Sequence, residues 1–246
     1  MSFAELRENE RAKRLMAMGR MAANLAHEIR NPLGSMELYC TLLKRDLAGH
    51  PTSLELAEQI HAGIKILDRI INNCLQFARD LVVRPKTLIN AEQILKDAAV
   101  YMQPACAEAS VELLIEDRGD YPIRVDPYLV QQALLNVTLN AVDACRGQDG
   151  KTVRIVSDRC SRDEWRLMIR DNGPGISDAD QEKVFDPFFT TKQGGTGLGL
   201  AIVHSIVSAH GGVVSIDSVL GQGTTVVLQF PVSAQTADAN QFTEQQ

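Results

Sequence analysis

Leu25-Ala26-His27-Glu28-Ile29-Arg30-Asn31-Pro32-Leu33 lies inside a helical repeat, because Leu15, Met18, Ala22, Leu25 and Ile29 recur at spacings of three, four, three and four. That is an apolar heptad seam. With Ala22 and Ile29 at the a positions and Leu25 at d, His27 falls at f, away from the buried stripe, and its imidazole is expected in water. Glu28 follows it directly. A carboxylate there can accept a hydrogen bond from Nδ1, fix the tautomer that leaves Nε2 as the nucleophile, and stabilise positive charge as a new bond forms. Asn31 lies one turn further on. His50, His61, His204 and His210 have no adjacent acid, so they read as surface, loop or helix-packing residues.

A second seam runs through Leu56, Ile60, Gly63, Leu67, Ile70, Cys74, Phe77 and Leu81, alternating by four and three. Between the two seams, Gly49-His50-Pro51-Thr52-Ser53 carries the residues that stop one helix and start the next. A helical hairpin over residues 15–84 is expected, preceded by a polar helical lead-in at 1–14. Ile64, Ile71 and Leu75 widen the second stripe beyond a two-stranded seam, so a lone hairpin leaves apolar surface exposed. Pairing two hairpins into a four-helix bundle, a homodimer, covers it. A coiled-coil linker is the alternative for these helices taken alone.

The chain has 246 residues, 45% hydrophobic, enough for two modest packed domains. A net charge of -6 and a pI near 5.4 argue against nucleic-acid and anionic-membrane partners. The five cysteines include no Cys-x-x-Cys pair for metal or redox work, which fits a reducing cytoplasm. No apolar run reaches the roughly 18 to 20 residues that span a bilayer.

After Arg84-Pro85 the pattern turns to alternating strands and helices, an α+β domain over 85–232, followed by an Ala-, Gln-, Thr- and Asn-rich tail at 233–246 that reads as disordered. Strands are predicted at Thr87 to Ile89, Val111 to Ile115, Val153 to Asp158, Arg166 to Arg170, Val213 to Ser218 and Thr225 to Phe230. The clearest helix runs from Pro127 to Arg146, with Asp126 as N-cap and Pro127 at N1.

On that helix Asn136, Asn140 and Asp143 share one face, where two amides can hold an ion or a phosphate. Asp171-Asn172-Gly173-Pro174-Gly175-Ile176 follows a predicted strand. Its glycines let backbone approach a ligand while the acid accepts a hydrogen bond. Gly195-Thr196-Gly197-Leu198-Gly199-Leu200 opens a helix whose free amide groups point where a phosphate can bind. This is not a Rossmann fingerprint, since the glycines alternate and a flexible segment precedes them. Nor is Gly150-Lys151-Thr152 a Walker loop, with Cys145 where the first glycine belongs.

Taken in order, these segments resemble the transmitter core of two-component sensor histidine kinases, over roughly residues 15–232. The H box is Leu25 to Leu33, the N box Leu135 to Ala144, and the first glycine box Asp171 to Ile176. An F box (Val184 to Phe189), a second glycine box (Gly195 to Leu200) and a third (Gly221-Gln222-Gly223-Thr224) complete the set. The short segment between the F box and Gly195 resembles the nitrogen-regulatory and PAS-linked subfamily.

The resemblance implies a dimeric four-helix bundle followed by a Bergerat-type α/β sandwich that binds ATP. In it Asp171 recognises the adenine amino group, assisted by Thr224, and Gly173 and Gly175 shape the base pocket. Asn140 coordinates Mg²⁺ with Asn136 beside the phosphates, and Gly195, Gly197 and Gly199 admit them. Lys192 reaches for a phosphate from the lid, where Phe188 and Phe189 anchor the loop.

The implied chemistry is transfer of the γ-phosphoryl group to His27 and onward to an aspartate of a response-regulator receiver domain, with a sensor domain upstream. Glu28-x-x-Asn31 resembles the motif with which the family dephosphorylates that regulator. Two alternatives are a Bergerat-type ATPase and a dimeric phosphotransfer scaffold without catalysis. The first needs a carboxylate where Asn136 stands, and an amide is no general base. The second is at odds with a complete set of nucleotide boxes.

Overall fold

The computed structural model describes residues 29, 32–47, 49–78, 83, 87–119, 122–161, 164–192 and 195–231. The chain divides into two compact units, with boundaries after residues 80, 185 and 202. Residues 186–202 group with the N-terminal helices, and the remainder forms the second unit.

In the first unit, α1 is helical at residue 29 and over 32–46, and α2 spans Pro51–Ala78. The turn forms where Gly, His and Pro cluster. The His50 amide donates to the Leu47 carbonyl (2.8 Å), and the His50 carbonyl accepts the Leu54 N–H (2.9 Å). Pro51 at the first helical position gives up no bond, since that amide has no intrahelical partner. The helices meet through Leu33 and Cys40 on α1 and Ala57 and Ile64 on α2, all buried, with the Cys40 thiol donating to the Ala57 carbonyl at 3.5 Å. This inner contact is not the heptad seam expected from sequence. Ile29, Leu56, Ile60 and Leu67 of that seam are exposed, as are Met36 and Leu43. Two adjacent seven-residue stripes therefore run along α1, and only one is covered by α2.

The second unit begins with β1 (Thr87–Asn90), α3 (Ala91–Ala109), β2 (Glu112–Asp117), β3 (Pro122–Val125) and α4 (Pro127–Cys145). It continues with β4 (Thr152–Ser161), β5 (Glu164–Asp171), the single turn α5 (Asp178–Gln181), α6 (Gly199–Ala209), whose first four residues group with the first unit, β6 (Val213–Val219) and β7 (Gly223–Pro231). The main sheet has the order β2-β4-β5-β7-β6; β2 runs parallel to β4 and the other neighbours are antiparallel. A separate antiparallel pair joins β1 to β3.

Alternation along the strands sorts the two faces. Val153, Ile155, Trp165, Leu167, Ile169, Leu228 and Phe230 are buried on one face. The other face carries polar pairs such as Arg166 with Asp158 (2.9 and 2.7 Å) and Arg154 with Glu116 (3.0 Å). α3 and α4 pack together, α3 also against β2 and α4 against β4 and β5. Trp165 stacks on Phe230 at 5.3 Å, and its indole N–H donates to Ser157 Oγ at 3.1 Å. The buried His210 ring is structural: Nδ1 donates to the Ile206 carbonyl (2.7 Å) and Nε2 accepts the Asp126 N–H (3.0 Å).

Asp126 caps α4 as expected, its Oδ1 accepting the Tyr128 and Leu129 amides at 3.1 and 3.2 Å. Asn90 caps α3 the same way, with Oδ1 accepting the Glu92 amide at 3.1 Å. No described helix is long and apolar enough to cross a membrane.

Candidate functional site

The site is built where β5 ends. Asp171 is the last inward residue of that strand, opposite Val153 on β4, so it closes the apolar column Trp165-Leu167-Ile169 with a buried carboxylate. Its Oδ1 accepts two backbone amides, from Gly173 at 2.9 Å and from Thr224 at 3.2 Å. The two oriented N–H donors fix this oxygen in place. Gly223, at φ +107, lies against the Asp171 backbone where a Cβ would collide with the Asp171 carbonyl, so only glycine lets β7 bring the Thr224 amide to the carboxylate. Gly175, at φ +73, meets the Val219 backbone in a similar close approach.

α4 lies beside this turn. Asn136, Asn140 and Ala144 repeat at i, i+4 and i+8 on one helix face, and a Cβ on Gly173 would stand 3.5 Å from the Ala144 methyl group. The two half-buried amides thus continue the helix face that abuts Gly173. Asn136 Nδ2 is buried with no hydrogen-bond partner among the described residues. An orphaned buried donor is expensive, and an anionic ligand would relieve it. The face suits phosphate oxygens. Among the described residues no group of three His, Cys, Asp or Glu side chains is placed to hold a metal ion.

Close to Asp171, burial pushes the Cys145 thiol up, the Asp171 carboxylate adds to the rise, and Lys151 and a backbone hydrogen bond from Asn172 oppose it. The cysteine is buried in the core.

Two features of this region were not read from the sequence. Asn172 ties the turn to the start of β4. Its Oδ1 accepts the Thr152 amide (2.8 Å), its Nδ2 donates to the Gly150 carbonyl (3.2 Å), and its own carbonyl accepts Lys151 Nζ (2.6 Å). Ser218, buried on β6 opposite Thr224, bonds to the Thr224 hydroxyl (2.9 Å), to the Gly223 carbonyl (2.9 Å) and to the Ile176 amide (2.8 Å). The available signal was its parity: a serine on the inward face of an alternating strand must find partners.

Asp171, Gly173, Gly175 and Thr224 are therefore brought together. Lys192, Gly195 and Gly197 lie in the segment that groups with the first unit, and Gly199 is the first residue of α6. Lys192 is exposed, its backbone amide donating to Thr190 Oγ1 at 3.1 Å. Gly197, at φ +64, packs on the Phe188 backbone, and the Phe188 amide donates to the Gly197 carbonyl at 2.9 Å. Phe188 ties this loop by its backbone, since its ring is 53% exposed. His27, Glu28 and Asn31 lie outside the described residues, as do the lead-in at 1–14 and the tail from 233.

A family model for the His Kinase A (phospho-acceptor) domain matches residues 17–80, and the histidine kinase-, DNA gyrase B- and HSP90-like ATPase model matches residues 125–234. The signal transduction histidine-protein kinase AtoS of Escherichia coli K12 is 35% identical over 230 residues, covering 93% of this chain and 37% of AtoS. The sensor histidine kinase ZraS of Salmonella typhimurium is 31% identical over 230 residues, 93% of this chain and 49% of ZraS. The chain thus spans less than half the length of either relative.

Among solved structures, full-length ShkA in complex with AMPPNP superposes with a TM-score of 0.70 at 26% identity, covering 88% of this chain and 47% of that one. The histidine kinase ThkA in complex with the response regulator protein TrrA gives a TM-score of 0.66 at 25% identity, covering 94% and 66%. With a phospho-acceptor domain followed by a kinase-type ATPase domain, and with relatives of that kind matching nearly its whole length, the chain belongs to the sensor histidine kinases as a two-component transmitter core.

Proposed function

We propose that the chain is an ATP-dependent protein-histidine autokinase that phosphorylates His27 and passes the phosphoryl group to an aspartate of a response-regulator receiver domain in the cytoplasm. The observation that carries this reading is the fixed carboxylate of Asp171, set by the Gly173 and Thr224 amides beside the helix face that bears Asn136 and Asn140. Asp171 takes the adenine amino group, Thr224 assists, and Gly173 and Gly175 keep the base pocket open. The orphaned Asn136 donor faces the phosphates, and Gly195, Gly197, Gly199 and Lys192 serve them from the lid.

Asn140 would hold Mg²⁺ through its amide oxygen, and the ion, arriving with its nucleotide, would neutralise charge on the phosphates. In the transfer itself, His27 Nε2 forms a bond to the γ-phosphorus as the bond to the β,γ-bridging oxygen breaks and its electron pair leaves on ADP. Glu28 accepts the Nδ1 proton's hydrogen bond and stabilises the imidazolium. Positioning rather than protein covalent chemistry supplies most of the rate.

The exposed stripe on α1 and α2 is the homodimer interface, and a sensor domain preceding the hairpin would act through it. Asn31, one turn beyond His27, positions a water that attacks the phospho-aspartate of the docked regulator, breaking the bond to the aspartate oxygen and releasing inorganic phosphate, a hydrolysis separate from the transfer.

The test is labelling with γ-labelled ATP and Mg²⁺, followed by acid and alkali treatment. Label that is acid-labile and alkali-stable marks phosphohistidine. His27→Gln should abolish it while nucleotide affinity, measured by calorimetry, stays within about twofold, because the acceptor and the nucleotide pocket lie in different domains. Label persisting in His27→Gln would place the acceptor elsewhere.

A further inference from the structure

Ser218 ends the inward row of β6: Val213, Ser215, Asp217 and Val219 are exposed, Val214 and Ile216 are half-buried, and Ser218 is buried. Its Oγ has three neighbours of different kinds. The Ile176 amide can only donate to it, at 2.8 Å; the Gly223 carbonyl can only accept from it, at 2.9 Å; the Thr224 hydroxyl, at 2.9 Å, can do either. A serine hydroxyl has one hydrogen and two lone pairs. One arrangement makes all three bonds: Ser218 gives its hydrogen to Gly223 and receives both the Ile176 N–H and the Thr224 O–H. If Ser218 donated to Thr224 instead, the Gly223 bond would be lost and only two would remain. The polarity of the Thr224 hydroxyl is thereby settled by residues outside the pocket.

We propose that Ser218 is a positioning residue that sets purine specificity, pinning the Thr224 proton so that this end of the pocket presents only hydrogen-bond acceptors. The proposal rests on the reading of Asp171 and Thr224 as the base site. Asp171, when ionised, also has only acceptors, and the Thr224 amide bonded to its Oδ1 at 3.2 Å keeps the two groups adjacent. Such a surface takes the two hydrogens of an exocyclic amino group. It repels the carbonyl oxygen that guanine and hypoxanthine carry at the same position. A site built to hydrogen-bond one group discriminates sharply against an analogue that leaves its polar atoms unpaired. Gln181 holds the arrangement from behind, its Nε2 donating to the Ser218 carbonyl at 2.9 Å and to the Ile176 carbonyl at 3.0 Å.

Calorimetric titration of the full chain with ATP, inosine triphosphate and purine riboside triphosphate, which has no substituent at the 6-position, tests this. Ser218→Ala frees the Thr224 hydroxyl to turn and donate, so the preference for ATP over inosine triphosphate should fall about tenfold, with purine riboside triphosphate changing less than about twofold. Parallel weakening of all three ligands, or an unchanged ratio, would overturn the inference.

Thr224→Val supplies a second route should Ser218→Ala fold poorly. It removes the hydroxyl and keeps the Ser218 bonds to Gly223 and Ile176, and it should also erode the preference. In the double variant Ser218→Ala should add nothing further, and an additive shift would show that Ser218 acts elsewhere. Asp171→Asn separates the two levels of the argument. If it leaves ATP affinity unchanged, the base site and the inference fall together; if it weakens ATP binding while Ser218→Ala leaves the ratio intact, only the inference falls.

Discussion

The catalytic unit and the helical hairpin both repeat apolar residues with strict periods, yet they finish the job differently. In the sheet, alternation delivers Trp165, Leu167, Ile169, Leu228 and Phe230 to one face, and the same chain covers them completely. In the hairpin, Leu33, Cys40, Ala57 and Ile64 close a narrow inner contact, while Leu56 at 58% and Ile60 at 56% exposure stay in contact with water. Each such side chain is worth roughly 1.5 to 3 kcal/mol when buried. A helix needs one stripe to meet its hairpin mate; a second stripe beside it needs another helix. The sheet domain is closed within one chain, and the hairpin leaves a stripe that the proposed homodimer would cover. This division suits the proposed chemistry, in which the nucleotide pocket must be rigid and the phospho-acceptor helices must respond to neighbours.

The contrast is most exposed to failure at Trp165. Truncating it to Ala removes a fully buried ring stacked on Phe230 and its bond to Ser157, and should destabilise the catalytic unit by about 3 to 5 kcal/mol. Chemical denaturation followed by nucleotide binding measures this. A loss below about 1 kcal/mol would mean that the sheet core is not closed as described.

Ile60→Glu probes the other side. A charge at the centre of the exposed stripe appears twice in a symmetric dimer, so dimer affinity should fall by about 100-fold. Sedimentation at several concentrations reads that change. The catalytic unit should melt as before. An unaltered dimer would place the subunit contact on another face, and a shifted catalytic melt would show that the two regions are not independent.

The closed domain was the more legible of the two. Alternation located six of its seven strands, and Asp126-Pro127 marked the start of α4, because strand parity and helix caps are local in sequence. β3 escaped: Pro122 to Val125 is four residues long and opens on proline, too short for a period to declare itself. Its pairing with β1 is set by tertiary contact.

In the hairpin, periodicity identified an apolar face and left open which neighbour covers it. The Cys40 to Ala57 contact depends on the register of the turn, which no repeat encodes. At the site, Asp171, Asn136 and Gly173 were legible as residue types that the chemistry requires. Ser218 was not, since its role arises from Ile176, 42 positions away, and from a register with Thr224 that only the folded sheet defines.

Asn136 breaks the rule of satisfied polar groups within the closed domain, as Thr138 Oγ1 does on the same helix, and it gives the finest test. Its Nδ2 is buried and orphaned among the described residues, so in the apo protein the amide is a liability. Removing an unsatisfied donor recovers its desolvation penalty, and Asn136→Ala should raise apo stability by about 1 kcal/mol. The same change removes a donor proposed to face the phosphates, and ATP affinity should fall by about tenfold.

Opposite signs are the diagnostic. A residue kept for packing would lose stability on truncation and leave nucleotide affinity largely alone. A residue held in a strained state for its ligand gains stability and loses binding. Thermal denaturation without nucleotide, paired with calorimetric titration of ATP, resolves the two. Lower apo stability with unchanged affinity would return Asn136 to the structural core and leave Asn140 as the amide on that face proposed to serve the phosphates.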